Sequence, residues 1–208
     1  MGIIERRERE KQQRKEEIIQ AAKKVFSELG FEDSTMIDIA EKAELSKGTL
    51  YLYFNSKEEL HFEVGLIALE KITNFISERI DENQSGLKNL RAGLDAYLEF
   101  GEKFPTYYNA ILAFESSNFD KVSAKDKTRI FADGSPLYLL RDMILQCIED
   151  GSLRNDINPI EMVILLWSQL TGIQQFIRNR TKVIEFLDIK PDELLNKQLD
   201  ILINGMRK

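Results

Sequence analysis

Thr35-Met36-Ile37-Asp38-Ile39-Ala40-Glu41-Lys42-Ala43-Glu44-Leu45-Ser46-Lys47-Gly48-Thr49-Leu50-Tyr51-Leu52-Tyr53-Phe54 is the stretch whose reading decides the fold. Thr35 with Asp38 three residues on reads as a capping box, opening a short helix that ends near Ala43. Glu44-Leu45 is the turn. Ser46 opens a second short helix through Tyr51 or Leu52. Ala40, Ala43, Leu45, Leu50 and Phe54 supply the apolar positions between them, and small Ala40 lets the two helices cross closely. Two short helices joined by a tight turn form a helix-turn-helix, whose second helix is shaped to enter a DNA major groove.

Outward from this core the periodicity stays helical. Upstream, Ile18, Ala22, Val25, Phe26 and Leu29 form one apolar stripe in a helix from Glu5 to Leu29, and Gly30 is its stop. Downstream, Ser56 caps a long fourth helix, with Glu59 three residues later and an end near Ile80. Further helices are expected over Leu87 to Phe104, Thr106 to Ser116, Leu137 to Asp150, Pro159 to about Asn179, and Pro191 to Met206. Asn118 to Ser135 is polar and poorly periodic. The expected fold is all-α, with a DNA-binding domain at residues 1–57 and a second, larger helical domain at 58–208. The fourth helix, from about residue 57, links the two.

Composition narrows the function classes. The 208 residues are 43% hydrophobic, enough for a substantial core. No apolar run is long enough to cross a membrane, and MGIIERRERE lacks the apolar region of a secretory signal. Cys147 is the one cysteine, so no internal disulfide forms, in keeping with a cytoplasmic protein. The sequence offers no Gly-rich phosphate loop, metal-ligand cluster or nucleophile motif, so neither a cofactor nor a metal is expected, nor an enzyme. His61, the one histidine, shares a helical face with Glu58 and reads as packed or solvated. A carboxylate-only site, and an adapter that uses the helix-turn-helix for protein contact, stay open on the residues alone. The formal net charge of -6 argues against a nucleic-acid partner when taken whole. By segment it does not: residues 1–24 hold eight basic and five acidic side chains, a local +3, and the remainder carries -9. The field at one end of the molecule is what a DNA partner meets. Arg6, Arg7, Arg9, Lys11, Arg14 and Lys15 there read either as an arm for phosphate or as a solvated helix salt-bridged to its interleaved glutamates.

Gly30-Phe31, the stretch quoted above and Ser56-Lys57-Glu58-Glu59-Leu60 together closely resemble the N-terminal domain of TetR/AcrR-family transcriptional regulators. Ser46 and Thr49 put small hydroxyls at the exposed start of the recognition helix, within reach of phosphates or base edges, and Lys47 adds charge. Gly48 costs roughly 1 kcal/mol against alanine inside a helix, a cost that close approach to DNA would offset. Tyr51 and Tyr53 present hydroxyls near the groove edge, where the family uses tyrosines. Thr35 is placed to cap its helix and touch the backbone. Lys57 lies at a helix N-terminus, where a cation is unfavourable unless a phosphate docks beside it.

The resemblance also implies a homodimer and a small-molecule effector, most often with repression of a palindromic double-stranded DNA operator that the effector relieves. Ligand binding would shift the fourth helix and change the separation of the two recognition helices. The helix from Pro159 and the last helix are apolar on more than one face, so a four-helix dimer interface is expected from Val163, Leu166, Leu170, Ile173, Leu195, Leu199 and Leu202. A cavity for a largely hydrophobic or aromatic compound is expected among Phe62, Tyr97, Phe100, Tyr107, Tyr108, Phe114, Trp167 and Gln174. No membrane partner is expected.

Overall fold

The computed structural model describes residues 2–116, 127, 128, 130, 131 and 133–208, with Ile3 and residues 113–116 described by their backbone alone. All regular structure among the described residues is helical. The helices are α1 (Ile3–Leu29), α2 (Met36–Lys42), α3 (Lys47–Tyr51), α4 (Lys57–Ser77), α5 (Gly86–Lys103), α6 (Pro105–Ser116), α7 (Pro136–Glu149), α8 (Pro159–Phe186) and α9 (Pro191–Met206). Most of the polar segment expected between α6 and α7 lies outside the described residues.

Contacts divide the chain into two compact units. The first holds α1 to α3, α4 as far as Leu69, and α6. Its core is the α1 stripe of Ile18, Ala22, Val25 and Phe26 packed with Ile39 and Ala40 of α2, Leu50 of α3, Phe54, and Leu60 and Val64 of α4, all buried. The second holds the end of α4, α5, and α7 to α9. Leu90, Leu94 and Phe100 of α5, Ile144 and Cys147 of α7, Leu166 and Leu170 of α8 and Leu199 of α9 are its buried core. A Cβ on Gly86 would stand 2.9 Å from the Cys147 backbone nitrogen, so only glycine lets α5 start this close to α7. Burial pushes the Cys147 thiol up to about 11, which leaves it an inert core residue at neutral pH.

Helix ends follow the capping chemistry. Thr35 accepts from the Asp38 amide, while the Asp38 carboxylate takes bonds from the Thr35 amide and hydroxyl at 2.8 and 2.7 Å. Those Thr35 bonds hold the Asp38 carboxyl below its ordinary value. Asn158 caps α8, and prolines sit in the first turns of α7, α8 and α9. Two boundaries differ from expectation. The α4 helix stops at Ser77, and α8 runs beyond Asn179 to Phe186. Arg180 leaves helical geometry there (φ -128°, ψ 20°), and the Thr181 hydroxyl bonds the Ile177 and Arg178 carbonyls. Such back-bonding by threonine bends a helix without ending it.

Candidate nucleic-acid interface

The turn between α2 and α3 sets the aim of α3. Glu44 takes φ +55°, a left-handed conformation that a side-chain-bearing residue adopts at a cost. The Leu45 amide then reaches back to the Ala40 carbonyl at 2.9 Å, closing the turn tightly. Leu50 and Phe54 are inserted into the core below, at 0% and 1% exposure, and they orient α3 by its buried side.

What remains outside is a short polar surface. Thr35, Ser46, Lys47, Gly48 and Tyr51 are exposed, and Thr49 and Tyr53 are half-buried. The Ser46 hydroxyl accepts from the Thr49 amide at 3.1 Å and shares a 2.8 Å bond with the Thr49 hydroxyl. The Lys47 ammonium lies 5.9 Å from the centre of the Tyr51 ring, at the outer limit of a cation–π contact. A Cβ on Gly48 would meet only the Ser46 hydroxyl, at 3.9 Å, so nothing inside the unit requires glycine there. Leu52, 79% exposed beside this surface, escaped the sequence reading because leucine is normally read as core.

Lys57 departs from expectation. Its ammonium donates to the carbonyls of Phe31 at 2.6 Å, Glu32 at 3.1 Å and Ser34 at 2.9 Å, and it lies 4.4 Å from the Phe31 ring centre. The three donors are therefore spent inside the protein. Carbonyls of the α1–α2 connector, in place of a docked phosphate, answer the cation at the α4 N-terminus. Next to it His61 stacks among the rings of Phe26 and Phe31, with centroids 5.2 and 4.4 Å away. Burial, then the Lys57 charge, hold His61 below its ordinary value. The basic run of α1 is helical from Ile3, and it pairs internally through Arg6 with Glu10 and Arg14 with Glu17, at 2.8 and 2.7 Å.

The model for bacterial regulatory proteins of the tetR family matches residues 18–64, the span of this interface. The regulator YhgD of Bacillus subtilis is 34% identical over 87 residues, covering 42% of this chain and 46% of YhgD. The chain thus spans about half the length of such relatives. QacR of Staphylococcus aureus, an HTH-type transcriptional regulator, is 26% identical over 93% of this chain and 98% of its own. The family match thus covers the helix-turn-helix with the adjoining parts of α1 and α4. A tetR-family regulatory protein from Rhodococcus RHA1 shares the fold, with a TM-score of 0.70 at 15% identity over 93% of this chain and 97% of that one.

Outside the matched residues, α8 and α9 carry the side chains expected at a dimer interface, and there the expectation needs correction. Val163, Leu166, Leu170, Leu195 and Leu199 are buried in the chain's own core, and Ile173 and Leu202 are half-buried. Periodicity detects two apolar faces and does not say which one the core takes. The outward face of α8 carries Leu165, Ser168, Gly172, Phe176 and Val183, with Leu165, Phe176 and Val183 50%, 57% and 51% exposed. Gly172 has open space around it. A glycine in the middle of an apolar helix is the sequence signal that marks this face.

The expected cavity residues divide between the two units. Tyr107 accepts a bond from Lys23 at 3.1 Å in the first unit, where Tyr108 is fully buried. Phe62 of α4, also in that unit, is half-buried. Tyr97, Phe100, Trp167 and Gln174 belong to the second. There the Tyr97 hydroxyl shares a 2.6 Å bond with Thr171, and Phe100 meets the Phe75 ring edge-on at 5.7 Å. Trp167 is half-buried. Gln174 is buried, donates to the Leu98 carbonyl at 2.7 Å and leaves its side-chain oxygen without a hydrogen-bond partner. The Phe114 side chain lies outside the described residues.

Proposed function

We propose that this transcriptional regulator binds a palindromic double-stranded operator as a homodimer, most simply as a repressor, and that a small, largely apolar or aromatic effector releases it. The observation that carries the reading is Gly48. The fold makes no use of a glycine there, yet it sits on the exposed recognition helix between Lys47 and Thr49. Close backbone approach to a phosphate or base edge is the gain that offsets its helix cost of roughly 1 kcal/mol. Thr35, Ser46, Lys47, Thr49, Tyr51 and Tyr53 are the proposed contacts beside it.

The dimer is proposed through the outward face of α8, continued by Ile201 and Gly205 of α9, both exposed and the glycine in open space. Ser168 and Gly172 between Leu165 and Phe176 give a partner helix room to approach. For the effector, the unpartnered Gln174 oxygen and the half-buried Tyr97–Thr171 pair supply polar groups in the second unit. Coupling would run along α4, whose residues the unit boundary divides at Leu69.

Binding to the protein's own upstream DNA, measured over a range of salt, tests the reading. Affinity should fall steeply with salt, and Lys47→Ala should flatten the log–log slope by about 1.8, one phosphate's worth from each protomer of the dimer. Apolar aromatic compounds should release the DNA in the same assay. Equal affinity for unrelated DNA would defeat the reading.

A further inference from the structure

Lys57 stands in a position where the resemblance implies a phosphate contact, and its surroundings are built for something else. An ammonium has three donors. Here all three point at carbonyls, those of Phe31, Glu32 and Ser34, at 2.6, 3.1 and 2.9 Å. The Phe31 ring closes over the same ammonium at 4.4 Å, and the Ser34 hydroxyl also donates to the Phe31 carbonyl, at 2.8 Å. These carbonyls lie 23 to 26 residues away in sequence. They belong to the peptide units that immediately precede Thr35, the residue that caps and starts α2.

We propose that Lys57 is a positioning residue and not a DNA contact: its ammonium ties the α1–α2 connector to the first turn of α4, fixing the frame from which α2, and so α3, is presented. The inference rests on the DNA-binding reading above. It adds that a movement of α4 at Lys57 pulls directly on the entry to α2. A lysine suits the place because its three donors spread from one atom towards three acceptors, whereas arginine's planar fork fits a phosphate or carboxylate better.

The salt dependence of DNA binding separates the two roles, because a lysine on phosphate contributes about 0.9 to the slope of log K against log salt and an internal one contributes none. The experiment compares wild type, Lys57→Met and, as the phosphate control, Lys47→Ala, on one DNA site. Lys57→Met is expected to weaken binding about ten-fold or more at every salt concentration with the wild-type slope. Hydrogen exchange should accelerate at the connector amides of residues 31–36, while the α1 amides around Ile18 and Ala22 stay protected. That localisation distinguishes a positioning role from general loss of folding. Lys57→Gln, which keeps a donor at shorter reach, serves if the methionine variant melts below the assay temperature. A slope lowered by about 1.8, the two phosphates of a dimer, overturns the proposal, and so does unchanged affinity. Failure of wild type to prefer its site would instead defeat the DNA-binding reading, independently of Lys57.

Discussion

A Leu165→Asp variant is expected to be monomeric and to lose at least about 100-fold in operator affinity, while keeping the wild-type helical content. Leu165 is 50% exposed on the outward face of α8, so the single chain tolerates a charge there. In the proposed dimer that face is covered, and an unpaired carboxylate buried there is costly. Losing the dimer removes the second half-site, and with it the ~10²–10⁴ gain that joining two binding events confers. Leu166, one residue on, is fully buried, and an aspartate there would unfold the second unit instead. Gly172→Leu is the complementary variant. The open space at Gly172 lets the protomer accept it and even gain helix propensity, yet it wedges the two helices apart. Sedimentation velocity reads both. A Leu165→Asp protein that remains a dimer at micromolar concentration would move the interface elsewhere.

Phe54→Ala should abolish DNA binding by a different route. Phe54 is 1% exposed, its amide bonds the Leu50 carbonyl at 3.1 Å, and its ring lies 5.4 Å from the Lys15 ammonium. Truncating a buried phenylalanine costs about 3–5 kcal/mol, a large share of the ~5–15 kcal/mol that holds a domain together. The recognition helix is five residues long and cannot persist without this anchor. Thermal melting should fall markedly, with DNA affinity lost even where much helix remains. Leu52→Ala, two residues away and 79% exposed, should leave melting within the small range typical of surface changes. Equal melting for the two variants would contradict the packing described for the helix-turn-helix.

How far the sequence was legible depends on how local the cause is. The Thr35–Asp38 box, the Ser46 cap and the prolines at 159 and 191 act within a turn, and the helices start where those residues say. The kink at Arg180 hid a helix because Asn179-Arg180-Thr181 reads as a polar stop, while the Thr181 back-bond that carries the chain through it is a property of geometry. The Lys57 cradle joins positions more than 20 residues apart, and no local pattern announces it. On α8 the two apolar faces were visible. Which one faces inward is decided by packing with α5, α7 and α9, and a single helix cannot express that choice. The exposed residues of the recognition helix were readable for the opposite reason. Burying Leu50 and Phe54 leaves Ser46, Lys47, Gly48 and Tyr51 nowhere to go but out.

Selection of binding sites from a random double-stranded DNA pool tests the central claim most directly. A dimer presenting two copies of α3 should enrich one palindrome, with half-site centres about 34 Å apart, 10–10.5 base pairs or a multiple of that. Lys47→Ala with Tyr51→Ala should fail to enrich it. A pool that gains no sequence preference, or one that converges on a site without two-fold symmetry, would contradict the account.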